Sequence, residues 1–192
     1  KKLVGLEELS SFALGGGTDL ALRYGHRVSF DLDFFTNTEF DKSQLFQVIT
    51  KTFPSAELLF EQNQTMLFVI NDVRVDFVLY PFPWFLPFEE REGTRLISEK
   101  DIIPMKLQAV SNRNSKKDYW DIALLLGKYP LKEMIQLFKK KFPQVDEGYI
   151  IHSLTDFEEA GNQFDPDSLN SITWEEVKRI LSVAVRELTG DS

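Results

Sequence analysis

Cysteine is absent from the 192 residues, which excludes disulfides and thiolate metal sites alike. Histidine occurs twice, at His26 and His152, too rarely for a zinc site built on imidazole. Any metal must therefore be held by oxygen, a donor set that selects hard ions such as Mg²⁺ or Mn²⁺. Basic residues are outnumbered, 22 against 30 acidic ones for a net charge of −8, so the chain does not grip nucleic acid by broad phosphate neutralisation. A local patch is still available from "RNSKK" at 113–117 or "KKK" at 139–141, though lysine runs are more often a solvated face. No apolar run approaches bilayer length and the N-terminus carries no signal-peptide pattern, so the expectation is a cytoplasmic protein with no membrane partner.

Apolar residues, in contrast, make up 43% of the chain and seventeen are Phe, enough for a substantial core or for two lobes sharing one interface. The first half alternates. "VSFDLDFF" (28–35) reads as a strand with Phe30, Leu32 and Phe34 on one side and Ser29, Asp31, Asp33 and Phe35 on the other. Apolar spacing predicts a helix over 41–52, closed by Pro54, and β-rich pieces follow near 57–62, 65–70 and 73–80, separated by turn-like "QNQ" and "ND". In the last piece Val73, Val75, Phe77 and Leu79 share one side, and Arg74, Asp76, Val78 and Tyr80 the other. After the Pro-aromatic stretch "YPFPWFLPF" (80–88) the pattern turns helical, near 104–111, 116–127, 131–142, 146–160 and 173–190. The expectation is an α/β (α+β) protein: a mixed sheet with flanking helices over residues 1–95, then a helical lobe over 96–192.

Three aspartates stand in apolar strands, where a carboxylate is a poor strand former and costly to desolvate. Asp31 and Asp33 share a face, and Asp76 is the natural third member of a cage for divalent ions, an arrangement suited to phosphoryl and nucleotidyl transfer. The pair stands shortly after "GGGTDLALRYG" (15–25). There Gly16, Gly17 and Thr18 offer backbone N–H groups and a hydroxyl to an anion at a helix N-terminus, with Thr18 as the expected N-cap. Asp19, beside such a loop, is expected to point to solvent. Asp118 stands three residues after Ser115, as in a capping box.

The string "GGGTDLALRYGHRVSFDLDFF", followed by "VDFVLY", Lys106 and "RNSKKDYWD", resembles the nucleotidyltransferase family of the AbiEii-type toxins of abortive-infection toxin–antitoxin systems, within the polymerase-β-like superfamily. The resemblance covers residues 12–121, and the later helices fit only in type. It implies that Gly17 and Thr18 contact the triphosphate of an NTP, that Asp31 and Asp33 bind Mg²⁺ or Mn²⁺, and that Asp76 orients or deprotonates an acceptor hydroxyl. Arg27 would pair with a phosphate or with the acidic strand, His26 would fix the turn, and Lys106 would bind the triphosphate as a mobile point charge. Lys106, with Arg113, Lys117, Asp118 and Asp121, matches two further motifs; Asp121 would hold Arg113 and Lys117 in place or contact the base or acceptor. The implied reaction moves an NMP to an acceptor such as the 3′ end of tRNA, in a toxin restrained by a separate antitoxin. Transfer of AMP to a protein hydroxyl, or binding without turnover on a nucleotide fold, are the alternatives.

Overall fold

Buried Phe12 leads the chain into its sheet. In the computed structural model, which describes residues 2–190, strand β1 (Ala13–Gly15) passes directly into helix α1 (Gly16–Tyr24), and strand β2 (Leu32–Thr36) returns antiparallel to β1. Helix α2 (Lys42–Thr52) begins at Asp41, whose carboxylate accepts a hydrogen bond from the Gln44 N–H, and ends at Phe53, the residue before Pro54, where the α conformation is disfavoured. Strands β3 (Glu57–Gln62), β4 (Thr65–Ile70) and β5 (Val73–Leu79) form the expected antiparallel meander. Its second turn holds Asn71 and Asp72 at φ 49° and 63°, the paired left-handed geometry that two-residue hairpins need and that these residue types tolerate.

A short hairpin of β6 (Glu89–Arg91) and β7 (Thr94–Leu96) completes a seven-stranded mixed sheet in the order β3-β4-β5-β2-β1-β7-β6. Pairing of β2 with β5 is parallel. Phe34 and Phe77 meet at that register and stack at 5.6 Å between ring centres. With Met66, Phe68 and Val75 from the sheet and Leu45 and Ile49 from α2, they form the core on one face. Neighbouring residues in a strand point to opposite sides, so Asp33 and Asp76 occupy the other face of two inner strands.

The chain divides into two units, residues 1–19 with 29–98 and residues 20–28 with 99–192. The segment 20–28 thus groups with the helical part. That second unit contains α3 (Glu99–Arg113), α4 (Lys116–Leu126), α5 (Leu131–Lys141), α6 (Glu147–Ser153), α7 (Glu158–Gly161) and α8 (Trp174–Thr189). Helix α3 begins five residues before the expected start because Ile102 and Ile103 are already core residues, and Pro104 is accommodated inside it. The helix expected over 146–160 breaks after Ser153. The hydroxyl of buried Tyr119 lies 3.0 Å from the Ser153 carbonyl and 2.6 Å from that of Asp156, and so helps to cap groups that the break releases. Helix α8 starts with a reciprocal capping box between Thr173 and Glu176; Val177 and Leu181 are buried, and Trp174 stacks on Trp120 at 5.6 Å. No helix among the described residues is long and apolar enough to cross a membrane.

Candidate active site

The parallel register sets Asp33 directly beside Asp76, and the antiparallel one sets Gly15 on the other side of Asp33. Two carboxylates on adjacent inner strands repel each other, and the strands nonetheless place both on the face away from the core. Continued by one residue, the same register brings Asp31 beside Arg74. The Arg74 guanidinium grips Asp76 through two hydrogen bonds, Nε to Oδ1 at 3.0 Å and Nη2 to Oδ2 at 2.8 Å. Its pKa is raised, first by that hydrogen bonding and then by the charges of Asp76, Asp31 and Asp33. Negative potential from all three aspartates therefore converges on this part of the sheet.

The glycine turn is built against the same face. Gly16 has φ +68°, and a Cβ there would lie 2.9 Å from Asp33 Oδ2, so only glycine satisfies both the backbone angle and the close approach. Gly15 is tightly packed, since a Cβ there would come within 2.7 Å of the end of the Ile97 side chain. Thr18 is not the N-cap. It lies inside α1, because Gly16 already starts the helix from its left-handed conformation. The buried Thr18 hydroxyl donates to the Asp31 carbonyl and lies 2.8 Å from the Ser29 hydroxyl. Thr18 thereby fixes the extended approach to β2, which begins only at Leu32 and leaves Asp31 just outside the strand.

A metal would meet hard oxygen donors here, in keeping with Mg²⁺ or Mn²⁺. The charges of all three aspartates act on the Arg74 guanidinium, a setting in keeping with a cation. Among the described residues, however, no three acidic or histidine side chains are gathered into a ready-made metal cage. Both oxygens of Asp76 are occupied by Arg74, which accounts for the third carboxylate being turned to another partner.

The second unit gathers the other motif residues into a buried ion network. Asp121, fully buried, accepts from Arg27 Nε at 2.7 Å and Nη2 at 2.9 Å, and lies 2.8 Å from His26 Nε2 and 2.6 Å from Lys106 Nζ. Asp118, also fully buried, lies 2.9 Å from Lys106 Nζ and accepts from Arg113 Nε at 2.6 Å. Burial alone would raise both carboxyl pKa values; Lys106, aided by Arg27 and His26 at Asp121 and by Arg113 at Asp118, outweighs it and holds them below the usual range. Lys106 is likewise raised, since the two aspartates overcome its own desolvation.

A sequence family described as "Nucleotidyl transferase AbiEii toxin, Type IV TA system" matches residues 3–83. The uncharacterized protein aq_aa25 of Aquifex aeolicus (strain VF5) is 35% identical over 97% of this chain and 92% of its own. Among solved structures, JHP933 of Helicobacter pylori superposes with a TM-score of 0.59 at 18% identity, covering 98% of this chain and 86% of that one. MenT4, a nucleotidyltransferase toxin of Mycobacterium tuberculosis H37Rv, gives 0.58 at 16% identity over 92% and 75%. Over residues 3–83 the chain belongs to the AbiEii nucleotidyltransferase toxin family.

The AbiEii match contains Gly16, Gly17, Thr18, Asp31, Asp33 and Asp76, all in the sheet-bearing unit, and Arg74 with them. Lys106, Arg113, Lys117, Asp118 and Asp121 lie beyond it. Several expectations change. Asp19 is fully buried in the first turn of α1, where the helix dipole favours a carboxylate, instead of facing solvent. The Asp118 carboxylate binds Lys106 and Arg113, and Ser115 makes no side-chain cap. Asp121 holds His26, Arg27 and Lys106, whereas Arg113 goes to Asp118. Neither lysine run is a free patch, since Lys116 pairs with Asp165, Lys139 with Glu147 and buried Lys141 with Asp101. Arg74 was not singled out, although the alternation of "VRVDFVLY" places it two residues before Asp76 on the same face.

Proposed function

We propose that this AbiEii-family protein transfers an NMP from an NTP to the 3′ hydroxyl of an RNA, with the acceptor end of tRNA as substrate, and releases pyrophosphate. The observation that carries the reading is the Asp33–Asp76 cross-strand pair beside a left-handed glycine at a helix N-terminus. A carboxylate pair has little structural value in the middle of a sheet, but it suits a reaction that brings cations to a polyphosphate. Asp31 and Asp33 would hold Mg²⁺ or Mn²⁺, which when bound neutralises charge on the triphosphate and lowers the pKa of a coordinated oxygen.

In this reading the acceptor oxygen attacks the α-phosphorus, the bond from that phosphorus to the oxygen bridging to the β-phosphate breaks, and pyrophosphate leaves with the bonding pair. Asp76 orients the acceptor hydroxyl and receives its proton. The N–H groups of Gly16 and Gly17 face the phosphates, and Thr18 acts by fixing Asp31. In the helical unit, Asp118 and Asp121 frame the network. The Lys106 ammonium is enclosed by two carboxylates, whereas Arg113 is half exposed. The net charge of −8 fits a short acceptor end better than a long RNA duplex. A separate antitoxin would restrain such an enzyme, which would find NTPs and tRNA in the cytoplasm.

Incubation with each α-³²P-labelled NTP, Mg²⁺ or Mn²⁺, total tRNA and cell extract tests the proposal. Label entering RNA only when Asp31 and Asp33 are intact supports it. Label in protein replaces the RNA acceptor with a protein hydroxyl, and no label under any condition leaves a binding protein on a nucleotidyltransferase fold.

A further inference from the structure

The Arg74–Asp76 pair is unusual in its setting. Asp76 is 14% exposed, whereas Arg74 is 52% exposed and reaches the carboxylate from the solvent side. Both Asp76 oxygens are satisfied by one planar guanidinium, a bidentate grip that lysine could not reproduce. Asp33, the cross-strand neighbour of Asp76, and Asp31 add their fields at the same guanidinium. Arg74 thus brings a positive charge to the carboxylates on this sheet face. A half-exposed ion pair is weak, shifting an equilibrium by about five-fold or less, so this cation can be exchanged.

We propose that Arg74 is an exchangeable counter-cation of the carboxylate site, a positioning residue that holds Asp76 until a divalent ion entering at Asp31 and Asp33 competes for it. The inference rests on the metal-site reading given above. It accounts for the absence of a ready three-carboxylate cage among the described residues: the third carboxylate is present, but engaged by its own strand. It also predicts that the site takes up metal reluctantly on its own, since each binding event must break two hydrogen bonds to Asp76.

Mn²⁺ binding, followed by electron paramagnetic resonance of the free ion at constant ionic strength and without nucleotide, tests this. Arg74→Gln should tighten Mn²⁺ binding by about three- to five-fold, and Arg74→Lys, which keeps the charge but loses the fork, should fall between it and the unaltered protein. In an Asp76→Asn background the Arg74→Gln gain should disappear, because there is no carboxylate left to release. An unchanged or weakened affinity in Arg74→Gln would overturn the proposal, as would an equal gain with Asp76→Asn, which would reflect only the long-range field of a lost charge. An Asp33→Asn control separates the layers: Mn²⁺ binding that is absent, or indifferent to Asp33, defeats the metal-site reading and the inference with it. Asp33-dependent binding without an Arg74→Gln gain defeats the inference alone. Arg74→Lys should melt like the unaltered protein and keeps the test available if Arg74→Gln folds poorly.

Discussion

Asp121 in the helical unit has Arg27, Lys106 and His26 within 2.9 Å, whereas Asp33 in the sheet unit has a second carboxylate, Asp76, as its cross-strand partner. Both regions are rich in charge and hold motif residues of the same family, yet they treat those charges in opposite ways. The buried network matches each carboxylate with cations, so that burial becomes tolerable and the helices that contribute to it are tied together. The sheet face sets carboxylates on adjacent strands, where half-exposed Arg74 holds Asp76. In the proposed function the sheet face is the reacting surface, and the matched charge of the helical unit is structural.

The comparison can be broken most directly at Asp33. Asp33→Asn should reduce nucleotidyl transfer by at least about 10³-fold, the loss expected when several kcal/mol of metal-mediated stabilisation disappears, while thermal unfolding shifts far less than on neutralising the buried Asp121. Asp121→Asn should do the reverse to the fold: removing one partner of a buried ion cluster leaves Lys106 and Arg27 without their carboxylate and costs about 3–5 kcal/mol, read from urea unfolding. Gly16→Ala should cost about 1–2 kcal/mol for its left-handed backbone and also displace Asp33, so it should lose both stability and transfer.

The fourth expected effect is the pH dependence. Asp118 and Asp121 have folded pKa values below their ordinary ones, so their contribution is complete above about pH 4, where the unfolded carboxylates are ionised, and is lost as the pH falls further. Lys106 is shifted upward, so its contribution persists to about pH 10 and is lost as the pH rises through the folded value. Urea midpoints should therefore be flat between these limits and fall toward pH 3, with a shallower acid limb in Asp121→Asn. The smallest effect is expected at Lys139, whose exposed pair with Glu147 should contribute no more than about 0.5 kcal/mol, so that Lys139→Gln melts like the unaltered chain.

Much of the sheet was legible because its period is strict. Alternation located β3, β4 and β5 to within one residue and placed Asp76 on a face opposite Phe77, and the family string identified the glycine turn with Asp31 and Asp33. What escaped were features settled by distant partners. β6 and β7 are three residues each, too short to carry a period, and exist through their pairing with each other and with β1. Thr18 looked like a cap because Gly16 could start the helix only through a backbone angle that sequence does not display. The role of Asp121 depends on His26 and Arg27, more than ninety residues away.

The claim that the sheet face reacts while the helical network supports is tested most directly by transfer of label from α-³²P-NTP by Asp33→Asn protein whose melting curve matches that of the unaltered chain. The account predicts a folded protein with transfer reduced to background. Transfer retained near the unaltered level would contradict it and move the chemistry away from the Asp33–Asp76 pair.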